Sequence, residues 1–213
     1  MKVIGFIFLL LLTNAIANGQ KCVISATKEN ILYIGIANPI DIGTSKYSCK
    51  EISLATNNGI VETTDDPCSY LISPDKIGKA EISVVEKKGN RKVIGRAIFR
   101  VKAIPGPDVM LAGRTSGGEI GKSELKVQIA LAAVLNGFDF DARFRIDSYT
   151  VIILRNEKVL FVRRCETPRF PSEVTQAFQT VQKNDKVVFA AVCCTAPDNK
   201  MRKLQPAEFT VVD

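Results

Sequence analysis

The chain of 213 residues contains no histidine and no tryptophan. Without an imidazole there is no Ser-His-Asp or Cys-His catalysis, no His-ligated zinc and no histidine-based pH switch. A basic stripe interleaved with aromatics is also missing, so the net charge of +7 does not point to nucleic acid. Its Lys and Arg residues are dispersed among acids, the pattern of a solvated surface of both signs. None of the six cysteines forms a CxxC pair. After the first twenty residues no long apolar run occurs, so no integral membrane segment is expected once a leader is removed.

The leader itself is legible. Lys2 gives a short positive start, residues 3–12 are apolar, and Ala15-Ile16-Ala17 and Ala17-Asn18-Gly19 offer small residues at cleavage spacing. That three-part layout is a secretory signal peptide over residues 1–19. The apolar part is short of the ~20 residues that span a bilayer.

The remainder reads as short strands between turn signals, the mark of sandwich-like β domains. Strands are expected over residues 31–36, 47–55, 69–73, 80–87 and 93–102. Asn38-Pro39 reads as a stop, Asn58-Gly59 as a hairpin turn, and Lys88-Gly89-Asn90 as the link between the last two strands. Ala80, Ile82 and Val84 alternate with Glu81 and Ser83, giving one buried and one wet face. Pro105-Gly106-Pro107 removes ladder donors and breaks both helix and strand. The expected organisation is therefore a first β domain at 20–102, a junction at 103–108, and a second β domain at 109–213. In the second, Ser123 caps a short helix through Gln128, followed by an apolar stretch at 129–135. Strands are expected at 138–154, 159–165, 186–194 and 208–212. Ser172 caps an amphipathic helix carrying Val174, Ala177, Phe178 and Val181. The fold class is mostly β, two consecutive sandwich-like (Ig-like) domains, the second with one or two short helices.

One segment carries candidate chemistry. Phe138, Phe140, Ala142, Phe144 and Ile146 alternate with Asp139, Asp141, Arg143, Arg145 and Asp147, which places the charged set on one strand face. Asp139 and Asp141 have the spacing of an acid–base pair or of calcium ligands. Arg143 and Arg145 on the same face hold them ionised, whereas a general acid needs a raised pKa, and a strand cannot wrap calcium. The expectation is a charge-laced strand over an aromatic core, with no catalytic, cofactor or metal residues. The Gly-rich stretch Gly113, Gly117, Gly118, Gly121 ends in Lys122-Ser123 like a phosphate loop, but Ser116 stands where the upstream Gly is required; it reads as a mobile loop. Arg163-Arg164 and Lys200, Arg202, Lys203 read as solvated basic clusters.

An exported chain permits disulfides. Cys49 and Cys68 are the pair well inside the first domain. In the second, Cys165 is expected to pair with Cys193 or Cys194, with Cys22 free or paired to whichever is left.

Three segments carry a family likeness. Residues 32–40 (Leu-Tyr-Ile-Gly-Ile-Ala-Asn-Pro-Ile), 99–107 (Phe-Arg-Val-Lys-Ala-Ile-Pro-Gly-Pro) and 137–144 (Gly-Phe-Asp-Phe-Asp-Ala-Arg-Phe) resemble the periplasmic C-terminal region of the GldM and PorM proteins of gliding motility and type IX secretion. The resemblance implies a non-enzymatic periplasmic scaffold built of successive sandwich-like domains, with an outer-membrane ring component as protein partner and a homodimer as a further expectation. It also implies the last two domains of that family without the motor-coupled membrane helix. The alternative reading is a secreted ligand-binding or inhibitor domain that reuses the fold. Export predicts a mature protein beginning near Gln20, read by intact mass; retention of residues 1–18 would contradict it.

Overall fold

The computed structural model describes residues 22–26 and 30–213, so the expected leader lies outside the described residues. Among these residues seventeen strands and two α-helices follow in chain order, with one 3-10 turn at Cys49–Glu51. They are β1 (Cys22–Ala26), β2 (Ile31–Tyr33), β3 (Asn38–Thr44), β4 (Ile52–Thr56), β5 (Ile60–Thr63), β6 (Ser69–Ser73), β7 (Gly78–Glu86) and β8 (Val93–Lys102). Beyond residue 107 come β9 (Asp108–Leu111), β10 (Arg114–Thr115), β11 (Gly117–Gly121), α1 (Lys122–Lys126), β12 (Ala132–Val134), β13 (Arg145–Arg155) and β14 (Lys158–Cys165). The chain closes with α2 (Ser172–Gln179), β15 (Lys186–Thr195), β16 (Met201–Lys203) and β17 (Ala207–Val212).

Two four-stranded sheets face each other in the first half, β1-β3-β6-β5 and β2-β8-β7-β4. Their inward residues follow the two-residue period of a strand. Ala80, Ile82 and Val84 of β7 are fully buried against Phe99 and Val101 of β8 and against Ile40, Ile42, Tyr70 and Ile72 of the other sheet. Asn38 does not stop a strand but opens β3. Its buried side chain holds the turn at residues 34–36, donating to the carbonyls of Tyr33, Ile36 and Ile72 at 2.9 Å and accepting from the Tyr33 N–H at 2.7 Å. Pro39 follows in β3 opposite Leu71 of β6. Asn58-Gly59 also behaves differently from the expected hairpin, since β4 and β5 belong to different sheets. The buried Asn58 amide instead bonds the backbone of Asp75, Lys76 and Lys79. Gly59 takes φ +90°, and a side chain there would overlap the carbonyl of Ser73. The local signal marked a turn; its partner strands were decided by packing.

In the second half a six-stranded sheet, β11-β17-β15-β13-β14 with β16 beside β15, is covered on one face by α2, α1 and the sheet β10-β9-β12. Tyr149, Phe170, Phe178, Phe189 and Phe209 form the aromatic centre of this core, with ring centroids 5.3 to 6.1 Å apart. Both halves are thus sandwich-like and mostly β. Three expectations need correction here. The Gly-rich stretch is not a loop: it forms β10 and β11, and β11 runs parallel to β17, with Gly117 at φ +115° against the backbone of Glu208. Residues 138–144 are not part of a strand, because the ladder of β13 begins at Arg145. Ser123 and Ser172 lie inside their helices, whose N-caps are Gly121 and Pro171.

The cysteines divide between the halves. Cys49 and Cys68 form a disulfide with Cα atoms 5.0 Å apart, joining the turn before β4 to the segment before β6 and so stapling the two sheets. Cys165, Cys193 and Cys194 are free, which corrects the disulfide expected in the second half. Cys165 lies opposite Tyr149 on one side of β13, and Cys193 and Cys194 lie opposite Ser148 and Ile146 on its other side. Two strand spacings separate them by ~10 Å, beyond the ~7 Å that a disulfide spans. Burial pushes the Cys165 and Cys194 thiols up, so both stay protonated at neutral pH and are poor nucleophiles. The side chain of Cys22 lies outside the described residues. Replacing Cys49 and Cys68 by serine is expected to cost ~3 kcal/mol through the entropy of the released loop, read as a lower urea midpoint; an unchanged midpoint would contradict the stapling role.

Candidate functional site

Two places bring polar chemistry together: the junction of the halves, and a groove between β14 and α2.

At the junction, Tyr33 at the end of β2 meets the Phe138 and Phe140 rings edge-on, at 4.8 and 5.3 Å. Residues 138–144 therefore keep the alternation expected of them, with Phe138 and Phe140 packed on Tyr33 of the first half and Phe144 on the core of the second. Loss of the half-buried Phe140 ring removes a junction contact, not a core cavity. Asp139 and Asp141 face solvent, and Asp141 pairs with Arg143 at 3.3 Å, an exposed pair of little energetic weight. Arg145 pairs with Asp147 at 3.1 Å, and Asp147 also accepts from the Thr195 hydroxyl at 2.6 Å. No three acidic or sulfur side chains among the described residues converge on a metal position.

Arg202 is the residue that sequence reasoning misplaced. It is not solvated: its Nη1 donates to the Ile104 carbonyl at 2.6 Å and the Pro105 carbonyl at 3.1 Å, and its Nη2 pairs with Asp198 at 3.1 Å. Its guanidinium also stands 5.8 Å from the Phe144 ring centroid. Nearby, Gly35 at φ +82° lies so close to the Asp198 backbone that a Cβ would stand 2.5 Å from the Asp198 Cα.

The groove lies at the outer edge of the six-stranded sheet and has a volume of about 370 Å³. Ile153, Leu160 and Phe161 form one wall, and Gln176, Ala177, Thr180 and Val181 the other. Leu160 and Phe161 are neighbours that would normally point to opposite faces. A bulge, in which the β14 partner jumps from Val159 to Phe161 across Leu154 and Ile153, turns both into the groove. Arg155 clamps one end. Its guanidinium meets the Asp185 carboxylate in two parallel 2.8 Å contacts and reaches the Thr180 carbonyl at the end of α2 at 3.4 Å. Asp185 is buried and also accepts the Gln182 N–H at 2.7 Å. The Arg155 guanidinium holds its carboxyl below the usual carboxylate range, assisted by the Gln182 N–H, although burial pulls the other way. Arg163 and Glu173, 3.5 Å apart, bridge β14 to α2 at the opposite end.

Domain profiles match nearly the whole described length. The profile of the GldM third domain covers residues 21–102, and that of the GldM C-terminal domain covers 99–212. The chain belongs to the GldM family. GldM domains are components of the type IX secretion and gliding machinery, where they stand in the periplasm. Among the described residues of this GldM-family chain, no helix is long and apolar enough to cross a membrane. No curated protein gives a significant sequence match. Among solved structures, the chain is similar to the Clostridium thermocellum CbhA fibronectin(III)-like modules, with 16% identity over 89% of this chain and 93% of that one, at a TM-score of 0.28. It is also similar to invasin, a bacterial integrin-binding protein, with 13% identity over 90% of this chain and 40% of that one, at a TM-score of 0.31. At those TM-scores neither likeness bears on function.

The Arg155–Asp185 pair yields a pH signature. A carboxyl held low in the folded state stabilises above its unfolded pKa of ~3.9, and that contribution is lost as pH falls through the lower folded value. Asp185→Asn, which leaves Arg155 without its counter-ion, is expected to lose ~3 kcal/mol at neutral pH. Its deficit relative to the parent should shrink only below pH ~4. Urea unfolding of both proteins from pH 7 to pH 3 measures this; a deficit already closing at pH 6 would contradict the assignment.

Proposed function

We propose that this GldM-family chain is a non-enzymatic scaffold module of the type IX secretion and gliding machinery. It works in the periplasm and presents its second half to a protein of the outer-membrane ring. The observation that carries this reading is the junction: both family domains are present and are tied by Arg202, Asp198, Gly35 and the Tyr33–Phe138–Phe140 cluster. A catalyst needs reactive groups converging on one cavity, whereas a scaffold needs its domains held in fixed relation. Supporting the choice of the second half, its groove at the sheet edge lines apolar side chains in the open, while the first half closes its sheets on each other. The chain is basic overall, so an acidic partner would be steered toward it and association would slow with added salt.

The reading predicts that residues 20–213, tagged and returned to the periplasm of the bacterium that makes them, recover outer-membrane ring components after crosslinking. Residues 20–102 alone should recover none. Recovery of ring components by the first half alone, or their absence from the whole-chain eluate, would overturn it.

A further inference from the structure

We infer that the groove between β14 and α2 takes an extended segment of another protein, apolar at alternate positions and acidic at its ends, which adds as a strand to the free edge of β14. The inference rests on the protein-binding reading above and names its mode.

Three features of the second half converge on it. First, among the described residues β14 pairs with β13 on one side only and ends the sheet, so one row of its N–H and C=O groups has no ladder partner there. Such an edge is a template for another strand unless something covers it. Second, both flanks of this edge are apolar and open. On the groove side stand Leu160, 52% exposed, and Phe161; on the outer face Val159 and Val162 are 59% and 57% exposed. Val162 continues inward through Ile152 and Val188 in one cross-strand row, and Val159 through Leu154 in the next. Side chains of an added strand alternate between the two sides. One set would enter the groove under α2 and the other would extend the apolar rows of the outer face. An extended peptide lodged between an edge strand and a helix is a known architecture for strand addition, in which backbone bonds give affinity and alternate pockets give selectivity.

Third, charge selects the occupant. β14 carries Lys158, Arg163 and Arg164 and no acid. Lys158 makes no ion pair among the described residues, and the partners of Arg163 and Arg164, Glu173 and Glu166, are half or more exposed. An incoming strand with acids opposite these positions gains cross-strand pairs. A second copy of β14 would instead set three more basic side chains against them with no acid to offset the repulsion, so a heterologous partner is favoured over self-pairing. The Arg155–Asp185 clamp fixes the end of α2 against the sheet, which keeps the groove open to a width set before binding.

The test uses a phage-displayed library of random nine-residue peptides selected on immobilised residues 20–213, which contains no component of the secretion machinery. Enriched peptides are expected to alternate apolar and polar residues and to carry Asp or Glu near their ends. By fluorescence anisotropy, Leu160→Glu and, separately, Val162→Glu should each weaken the best peptide at least tenfold. Val127→Glu, at the 70% exposed C-cap of α1, should leave binding unchanged. Both edge-strand variants replace half-exposed side chains, and circular dichroism checks that each retains its fold. Amide exchange in the complex should slow at alternate residues of 159–164. Absence of enrichment, peptides insensitive to both edge-strand variants, exchange protection elsewhere, or concentration-dependent dimerisation blocked by Leu160→Glu would each overturn the inference. A ring component captured equally by the parent and by Leu160→Glu would overturn it too, while leaving the scaffold reading intact. Peptides that bind as a strand, together with failure to capture any ring component, would leave the docking mode standing and remove the reading beneath it.

Discussion

Arg202 is the side chain on which the arrangement of the two halves turns. The linker between them, residues 103–107, lies outside the strands, and Pro105 and Pro107 donate no backbone hydrogen, so its carbonyls are not paired in a sheet ladder. Carbonyls that fold inward without a partner cost free energy. The Arg202 guanidinium supplies donors to two of them at once while Asp198 neutralises it and Phe144 lies beneath it. A planar fork can do this in several directions, and a lysine ammonium could not match its geometry. The contact of Gly35 with the Asp198 backbone then follows from the same placement. Only a residue without Cβ fits where the first half meets the β15–β16 turn.

The groove of the second half depends on a comparable device. Arg155 and Asp185 join the end of β13, the end of α2 and the start of β15. A buried charge pair of this kind contributes less to net stability than its short distances suggest, because both ions surrender hydration. Its effect is geometric: it fixes where the helix ends over the sheet. The two guanidinium sites are far apart in sequence, yet each does the same thing. Each converts flexible connections into fixed spacings.

Much of the fold was legible from periodicity. The alternation in β7, the extents of β6 and β8, and the amphipathic α2 follow from local side-chain patterns, and the structure carries them nearly unchanged. The failures share one cause, a local signal settled by a distant partner. Asn58-Gly59 has hairpin chemistry, but β4 and β5 pair with other strands. Gly117 and Gly118 look like loop residues, but both lie in β11, where at Gly117 the parallel neighbour β17 approaches too closely for a side chain. Residues 138–144 alternate as a strand does, yet Phe138 and Phe140 are used at the junction. Arg202 and Asp198 stand four apart in a basic-looking stretch, and nothing local distinguishes a buried clamp from a solvated cluster. The second-half disulfide was expected from cysteine count alone; the interposed β13 could not be seen without the sheet order. The groove was invisible for the same reason, although Val159, Leu160 and Val162 on one strand carried the signal of an edge that is apolar on both sides.

The central claim is that the junction holds the two halves as one body, so that the second half is presented in a fixed direction. Residual dipolar couplings of backbone amides in weakly aligned residues 20–213 test it most directly, because each half reports its own orientation and amplitude of motion. A single alignment tensor should fit the couplings of both halves, and Arg202→Ala should split it into two of unequal magnitude. Two unequal tensors in the parent protein would contradict the account, showing halves that reorient independently despite the Arg202 contacts.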